Sequence, residues 1–331
     1  MTDLPFDADP RGIWRAPGWG APLHLEEVPT GRRLEFSGKK KRGRRLLAER
    51  AEVLADAQER LWAHQVAAAD ETRAAVMERL TSRVPQLTGD QRGRREQVLT
   101  AEVLEALRDV EQGPRVLLVL QGMDASGKGG TVKHVAGSMD PLGVSVTGFG
   151  RPTEAERREH YLRRVIRRLP APGMVGVFDR SHYEDVLVPA VSGDLDADAL
   201  AGRTETLRLF EDELVRRGFA LVKVFLHLSP EEQLERLLSR LDRREKHWKY
   251  DPSDADARAD FDTFRTVYSG LLEATDADWA PWHIVGADRK WYSRLAVQEL
   301  LIAALEDLDL GWPRAGYDID AERARLLQSW L

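Results

Sequence analysis

Five short runs of apolar residues recur along the C-terminal two thirds of the chain, separated by stretches with helical periodicity. The first run, Val116–Leu120, is apolar at every position, as expected for a strand that is buried on both faces of a sheet. The five runs are residues 116–120, 144–149, 174–178, 221–228 and 283–285. Because strands that alternate with helices form parallel sheets through crossover connections, the pattern predicts an α/β fold with a five-stranded parallel sheet flanked by helices.

The chain before the first run has a different pattern. Residues 1–45 contain five prolines and several glycines, a composition that predicts an irregular arm. Residues 46–80 lack Pro and Gly and are rich in helix-forming residues, and a further helical stretch runs from about residue 95 to residue 112, where Gly113-Pro114 breaks the chain. We therefore divide the chain into an N-terminal irregular arm and helical extension, residues 1–112, and a main domain, residues 113–331.

Charge and composition restrict the classes of function. The 331 residues include 49 Lys and Arg against 55 Asp and Glu, a net charge of −6, which argues against a general nucleic-acid-binding protein. A basic run at residues 39–45 (KKKRGRR) fits a solvated or disordered charged segment. The absence of cysteine excludes thiol catalysis and Cys-ligated metal sites. With no apolar segment of about 20 residues and no signal peptide, we expect a cytoplasmic protein that does not bind membranes.

A glycine-rich segment follows the first apolar run directly. Its spacing, from Gly122 to Gly127 and Lys128, is that of a phosphate-binding loop. In such a loop the backbone N–H groups point at one anion, the next helix adds the positive end of its dipole, and the lysine reaches a terminal phosphate. A glycine-rich turn without a ligand is the alternative, but the position between a buried strand and a helix favours the phosphate site. The expected phosphate-binding residues are Gly122, Ser126, Gly127, Lys128, Gly129, Gly130 and Thr131.

Acidic residues near this loop are candidates for holding Mg²⁺. Gly129 occupies the position of the Ser or Thr that usually contacts the metal, so other oxygen ligands are needed. Asp124 and Thr131 are the nearby candidates, with water completing the oxygen shell that Mg²⁺ prefers. Asp179 ends the third apolar run and so lies where open parallel sheets bind ligands. The alternative for Asp179 is that it caps the following helix.

Arginines near these acids are suited to neutralise phosphate charge. Arg180 follows Asp179 directly and would lie beside the phosphates. Two basic stripes recur at helical spacing, Arg236, Arg240, Arg243 and His247 in one and Arg157, Arg164 and Arg168 in the other. An ordinary amphipathic helix explains either stripe alone, whereas two of them beside a phosphate loop suggest a ligand with more phosphates than one nucleotide. Candidates for stacking on a base, or more commonly for core packing, are Trp248, Trp279, Trp282 and Trp291.

Six motifs, in order, resemble those of the type 2 polyphosphate kinases. They are residues 121–135 (QGMDASGKGGTVKHV), 178–188 (FDRSHYEDVLV), 225–241 (FLHLSPEEQLERLLSRL), 246–254 (KHWKYDPSD), 280–297 (APWHIVGADRKWYSRLAV) and 311–313 (GWP), with a short match at 58–61 (QERL). The resemblance covers roughly residues 115–325. It implies a P-loop kinase fold in which inorganic polyphosphate donates a phosphoryl group to a nucleotide with the help of Mg²⁺, for which Mn²⁺ is a second candidate.

The resemblance also implies roles for individual residues. The catalytic set would be Lys128, Asp179, Arg180 and Asp124, of which Asp124 and Asp179 serve the metal. A basic helical lid at about residues 232–258 would bring Arg240, Arg243, Arg244, Lys246 and Lys249 to the phosphates. Glu184 follows the Tyr in the sequence SHYED, which resembles the subgroup that phosphorylates AMP as well as ADP. Other members of the family carry Asn at this position.

We therefore expect reversible, Mg²⁺-dependent transfer from polyphosphate to AMP, ADP or both, with guanine nucleotides as further candidate acceptors. A nucleotide monophosphate kinase that uses ATP and a non-catalytic polyphosphate- or nucleotide-binding protein are the alternatives. The two basic stripes and the full catalytic set argue against them. Two features depart from the family: an extra segment, residues 62–114, and Gly150 beside Arg151 where a lysine is expected. The helical extension favours a homo-oligomer.

Overall fold

A five-stranded sheet forms the centre of the molecule in the computed structural model, which describes residues 5–67 and 69–329. The strands are β1 (Arg115–Gln121), β2 (Val144–Gly148), β3 (Val175–Asp179), β4 (Phe219–His227) and β5 (Trp282–Gly286). Their order across the sheet is β2-β3-β1-β4-β5, and every neighbouring pair is parallel. The predicted sheet is confirmed, with each strand within two residues of its apolar run.

Helices precede, connect and cover these strands. Those before the sheet are α1 (Pro10–Ile13), α2 (Lys40–Ala67), α3 (Asp70–Thr81), α4 (Gly89–Val98) and α5 (Thr100–Arg108). Those after β1 are α6 (Lys128–Val135), α7 (Glu154–Arg157), α8 (Tyr161–Ile166), α9 (Glu184–Ser192), α10 (Ala197–Arg216), α11 (Pro230–Leu241), α12 (Ser253–Ala259), α13 (Phe261–Thr275), α14 (Lys290–Glu306) and α15 (Ile319–Gln328). Short 3₁₀ turns lie at Leu25–Glu27, Ala136–Ser138, Pro141–Gly143 and Arg244–Lys249. Every helix in this described part of the chain is too short or too polar to cross a lipid bilayer.

The sheet separates two apolar clusters because side chains alternate between its faces. Along β1, Val116, Leu118 and Leu120 join one cluster, and Leu117 and Val119 join the other. The region before the sheet contributes to both clusters. Buried side chains of α2 enter the first, and buried side chains of α5 enter the second. The predicted boundary at residue 112 thus falls in a loop between elements that share the same cores.

The basic run at residues 39–45 is helical from Lys40 onward, which corrects the expectation of a disordered segment, while most of its side chains are exposed to solvent as expected. It forms the first turns of α2, and the helix packs along α14. Gly43 lies so close to Trp291 that an added Cβ atom would be 2.1 Å from the indole ring. Farther along α2, Arg50 makes two buried hydrogen bonds, of 2.7 and 2.8 Å, to the carboxylate of Glu299. These long-range contacts order a charged segment whose local composition favours solvent.

Both predicted basic stripes are interrupted in the structure. The first helical stretch, residues 154–169, forms two short helices, since Thr153 caps α7 and the His160 side chain accepts a hydrogen bond from the backbone of Leu162 at the start of α8. The second ends earlier than its stripe, because α11 stops at Leu241 and a 3₁₀ turn follows. Residues in one predicted stripe consequently point in different directions.

Candidate functional site

A cavity of about 690 Å³ opens at the carboxyl ends of β1 and β3. Its floor is the glycine-rich loop between β1 and α6, one wall is the end of β3, and its roof is the lid of α11, the following 3₁₀ turn and α12. Ligands bind at this edge of open parallel sheets. The predicted site residues in its lining are Asp124, Ser126, Gly127, Lys128, Gly129, Gly130, Asp179, Arg180, Arg240, Arg243, Lys246 and Lys249.

The backbone of the glycine-rich loop has a conformation that few residues other than glycine adopt. Gly122 has φ 145° and Gly127 has φ 110°, both in the region that favours glycine. A Cβ atom on Gly122 would lie 2.7 Å from the backbone oxygen of Leu226 on β4. Ala125, a non-glycine residue, also has positive φ, at 65°. Such a conformation persists when its surroundings enforce it, and here the lid helix does so.

Lys128 begins α6 beneath this loop. Its Nζ atom donates hydrogen bonds to the backbone oxygens of Gly122 and Met123, at 2.5 and 3.2 Å, while the side chain also lines the cavity. Burial lowers the pKa of this amine, and the nearby carboxylate of Asp124 opposes that shift. The ammonium is therefore held at the position where a bound phosphate would neutralise it.

Asp124 and Arg180 form an ion pair across the cavity. Arg180 Nη2 lies 2.6 Å from Asp124 Oδ1. Burial raises the pKa of Asp124, but the charges of Lys128 and Arg180 outweigh it and the pKa is lowered overall. Arg180 has a left-handed backbone with φ 65°, and its amide donates to the oxygen of Leu120 at 3.1 Å. This backbone turn directs the guanidinium toward the loop instead of along β3.

Asp179 lies at the end of β3, opposite the start of α6. Its Oδ2 atom is 3.4 Å from the position that a Cβ atom on Gly129 would take. The carboxylate therefore lies close to the first turn of α6. Asp124 and Asp179 thus present two carboxylates to one cavity.

These two carboxylates suit a magnesium ion that is also bound by the phosphates of a substrate. Within the described ranges, 5–67 and 69–329, no group of three or more His, Asp or Glu side chains is arranged to hold a metal by itself. Mg²⁺ is usually held by one or two carboxylates together with substrate phosphates and waters, so Asp124 and Asp179 fit that role. Thr131, the other candidate, is only 1% exposed and is not part of the cavity wall.

The lid places four of its five predicted basic residues in the cavity wall. Arg240 is anchored by Asp254 on α12 at 3.0 Å, whereas Arg244 is exposed and does not line the cavity. At the rim, Trp248 is 78% exposed and the Lys249 ammonium lies 4.9 Å from its ring centroid. Of the four tryptophans considered for base stacking, Trp248 is the one that lines this cavity, because Trp282 and Trp291 are buried in the core and Trp279 packs against it.

Arg236 lines the cavity, as its stripe suggested, but its guanidinium is engaged by backbone oxygens. It is buried, and Nη1 donates to the backbone oxygens of Ala125 and Ser126, each at 2.9 Å, while Nη2 donates to those of Ala287 and Asp288 at 2.6 and 3.2 Å. The neighbouring Gln233 Nε2 donates to the Asp124 backbone oxygen at 3.1 Å. Helix α11 thereby holds the loop in shape through hydrogen bonds that helical periodicity does not reveal.

The predicted stripe in residues 154–169 lies outside the cavity. Arg164 is buried and pairs with Asp185 at 2.8 Å, and it also donates to the Gly150 backbone oxygen at 2.9 Å. Arg157 and Arg168 are exposed and do not line the cavity. The interpretation of two phosphate-binding stripes is therefore wrong for residues 154–169. Their spacing reflects helix surfaces and a buried ion pair.

Three predicted residues lie just behind the cavity wall. Gly122 shapes the loop, Thr131 lies beneath it, and Glu184 begins α9 behind Arg180. Burial raises the pKa of Glu184, although the charges of Arg180 and Lys128 oppose that shift. Glu184 is therefore coupled electrostatically to the cavity without lining it, and its role in acceptor choice stays a prediction.

Two lining residues, Lys290 and Arg294 on α14, were missed by the sequence interpretation. They lie four apart on one helix face, within the motif at residues 280–297. Their charge was not distinguished from that of an ordinary amphipathic helix. A Cβ atom on Gly130 would lie 2.8 Å from Arg294 Nη2. The sequence pattern does not show that α14 packs close to the phosphate loop, which is what brings these two side chains to the cavity.

Comparison with known proteins gives a consistent result. The family model described as polyphosphate kinase 2 matches residues 86–310. The AMP/ADP-polyphosphate phosphotransferase of Meiothermus ruber is 39% identical over 213 residues, covering 64% of this chain and 80% of that protein. The ADP-polyphosphate phosphotransferase of Rhodopseudomonas palustris is 35% identical over 246 residues, covering 71% and 84% respectively.

A solved structure matches along almost the whole chain. The crystal structure of polyphosphate kinase 2 from Arthrobacter aurescens has a TM-score of 0.80 at 38% identity, covering 99% of this chain and 100% of that one. The expected P-loop kinase fold is confirmed. The match also spans residues 62–114, so that helical segment is shared with this relative.

Proposed function

The chain belongs to the polyphosphate kinase 2 family and transfers phosphoryl groups between polyphosphate and nucleotides, and we propose that its acceptors include AMP as well as ADP. The observation that carries the proposal is the convergence of Lys128, Arg180, Asp124 and Asp179 on one cavity beneath a basic lid. The acceptor range is supported by Glu184 and by 39% identity to a relative named for both AMP and ADP. ADP and ATP would be the products.

Transfer needs charge neutralisation and alignment more than proton removal. The attacking atom is an anionic phosphate oxygen of the nucleotide, so no strong general base is required. A P–O bond forms between this oxygen and the terminal phosphorus of the donor, and the bond to the next phosphate breaks, which leaves polyphosphate one unit shorter. Such reactions depend mainly on positioning and electrostatic stabilisation.

The chain's own cations supply this stabilisation in the proposed mechanism. The phosphate loop and Lys128 would hold the reacting phosphates, Arg180 would lie along the transferring group, and Arg240 and Arg243 would close over it from the lid. Magnesium would supply further positive charge to stabilise the reacting phosphates, and Asp124 and Asp179 are the residues that would hold it. The transfer would be reversible, because the forward and reverse reactions use the same charged groups.

A coupled assay with purified protein tests the proposal directly. Long-chain polyphosphate and Mg²⁺ are offered with AMP or with ADP, in the absence of ATP. We expect ADP and then ATP from AMP, and ATP from ADP. Formation of ATP from ADP alone would remove AMP from the acceptor range. Turnover that appears only when ATP is added as donor would instead indicate a nucleotide monophosphate kinase.

Replacement of Lys128 tests the site in the same assay. Lys128→Met keeps most of the length of the side chain and removes its charge, and we expect a loss of roughly a hundredfold or more in kcat, as for other groups that stabilise transition-state charge. Lys133→Met is the matched control, since Lys133 is exposed on the same helix and lies outside the cavity wall. Equal activity of both variants would contradict the role of Lys128.

A further inference from the structure

Gln121 is a buried polar residue at the last position of β1, directly before the phosphate loop, and the mechanism above leaves its side chain without a role. Its amide lies between Ser181, Glu184 and Tyr268. Ser181 and Glu184 belong to the turn that joins β3 to α9, and Tyr268 belongs to α13. One side chain therefore connects the strand that carries the phosphate loop with the segment that follows Arg180.

The groups around this amide determine its orientation. The backbone N–H of Ser181 can only donate, so we assign the amide oxygen to the end that lies 3.2 Å from it. The same oxygen accepts from Ser181 Oγ at 3.0 Å. Gln121 Nε2 then donates to Glu184 Oε1 at 3.1 Å and to Tyr268 Oη at 3.2 Å. The opposite orientation would place the amide oxygen against a carboxylate oxygen.

The hydrogen bond from Gln121 acts on a carboxylate that is coupled to the cavity. Burial raises the pKa of Glu184, and the charges of Arg180 and Lys128 oppose that shift together with the hydrogen bond from Gln121. A hydrogen bond to a charged group is stronger than one between neutral groups. The amide therefore favours the ionised form of Glu184 and fixes the position of its carboxylate.

The other side of the same turn is held by a buried ionic cluster. Tyr183 Oη donates to Glu211 on α10 at 2.7 Å, and His182 Nε2 lies 3.1 Å from the same carboxylate. The ammonium of Lys223 on β4 lies 2.6 Å from Glu211. These contacts hold the residues before Glu184, so the carboxylate of Glu184 is positioned from both sides of the turn.

The charge of Glu184 matters most for the acceptor with less charge of its own. AMP carries less negative charge than ADP, so it neutralises Lys128 and Arg180 less completely when it is bound. The Glu184 carboxylate supplies negative charge near both cations. Its loss or displacement should consequently reduce transfer to AMP more than transfer to ADP.

We propose that Gln121 is a positioning residue for acceptor choice, whose amide holds the Glu184 carboxylate near Arg180 and thereby favours transfer to AMP. This inference rests on the proposed function. Gln121 lies outside the wall of the cavity, so it acts through Glu184 and does not bind the reacting phosphates.

Replacement of the amide by an apolar group of similar size tests the proposal. In Gln121→Met we expect the ratio of kcat/KM for AMP to kcat/KM for ADP to fall roughly tenfold, the effect typical of losing a hydrogen bond to a charged group. The KM for polyphosphate should remain at the wild-type value. Tyr268→Phe removes one of the two acceptors of the amide nitrogen but keeps the ring in the core, and should shift the ratio in the same direction by a smaller factor. This second variant decides the question if Gln121→Met does not fold.

A double-mutant cycle separates positioning of Glu184 from general support of the fold. Glu184→Gln should lower the ratio at least as much as Gln121→Met does. In Gln121→Met/Glu184→Gln the ratio should equal that of Glu184→Gln alone, because the amide acts through the carboxylate. Gln298→Met is the matched control, since Gln298 on α14 is also buried and lies outside the cavity wall, and it should keep the wild-type ratio.

Three results would overturn the inference: an unchanged ratio in folded Gln121→Met, equal losses with AMP and ADP, or additive effects in the double variant. Each of these would leave the wild-type protein active with AMP and the proposed function intact. Absence of transfer to AMP by the wild-type protein would instead refute the proposed acceptor range, and this inference with it. The two failures are therefore distinguishable in one assay.

Discussion

At the scale of single residues, the site holds opposing charges close together. Asp124 is kept ionised by Lys128 and Arg180, and the pKa of Arg180 is raised because the carboxylates of Asp124 and Glu184 outweigh its burial. Glu184 is the exception, since its burial outweighs the attraction of its basic neighbours. The sequence placed Asp124, Lys128, Asp179 and Arg180 at the right edge of the sheet through motif spacing. It could not give the ion pair between Asp124 and Arg180, which depends on the left-handed turn at Arg180.

The raised pKa of Glu184 predicts a pH-dependent cost to stability. A pKa above the ordinary value of 4.5 means that the folded chain binds this proton more tightly than the unfolded chain, so the cost is absent below the unfolded pKa and grows as the pH rises toward the folded pKa. We expect Glu184→Gln to have a higher Tm than wild type at about pH 8 and the same Tm at about pH 4. Thermal unfolding at both values, with exposed Glu231→Gln as control, measures this. A gain of equal size at both pH values would contradict the ionisation argument.

At the scale of elements, α11 both covers the cavity and holds its floor. Periodicity identified it as an amphipathic helix with Arg236 and Arg240 on one face. Both arginines line the cavity, but periodicity gave no means to distinguish Arg236, whose guanidinium donates to loop backbone oxygens, from Arg240, which pairs with Asp254 on the lid. The distinction depends on how closely the helix approaches the loop, and that distance is set by packing across the sheet. The same limitation led to the wrong interpretation of Arg164.

Replacing Arg236 should weaken both the fold and the site. Arg236→Lys retains the charge, but one ammonium cannot replace the two guanidinium nitrogens that donate to four backbone oxygens. Buried acceptors left without a donor cost about 1–3 kcal/mol. We expect a Tm lower by several degrees and a lower kcat with both AMP and ADP, since the loop loses its support. Arg243→Lys, on the exposed side of the same lid, is the control and should keep the wild-type Tm. Equal Tm values for Arg236→Lys and wild type would show that α11 does not hold the loop.

At the scale of the whole molecule, the sheet was predictable and the packing of the N-terminal region was not. Strands β1, β3, β4 and β5 are buried almost throughout and therefore appear as apolar runs, whereas the edge strand β2 is partly exposed. The extension has only helical composition, which says nothing about its partners. Leu46, Leu54 and Leu61 of α2 and Val103 and Leu107 of α5 are each at most 1% exposed in the two cores. Contacts between α2 and α14 join residues about 250 positions apart, beyond the reach of any local pattern.

Truncation tests whether residues 113–331 fold without this region. Burying a Leu or Val side chain contributes about 1.5–3 kcal/mol, so the loss of these five alone removes roughly 8–15 kcal/mol, as much as the whole stability of a typical domain. We expect the fragment 113–331 to lack a cooperative thermal transition and to be inactive. Removal of residues 314–331 is the control, because α15 has no buried residue, and this variant should keep the wild-type Tm. A cooperative transition and near-ultraviolet circular dichroism in the fragment 113–331 would instead establish an independent domain that begins after residue 112.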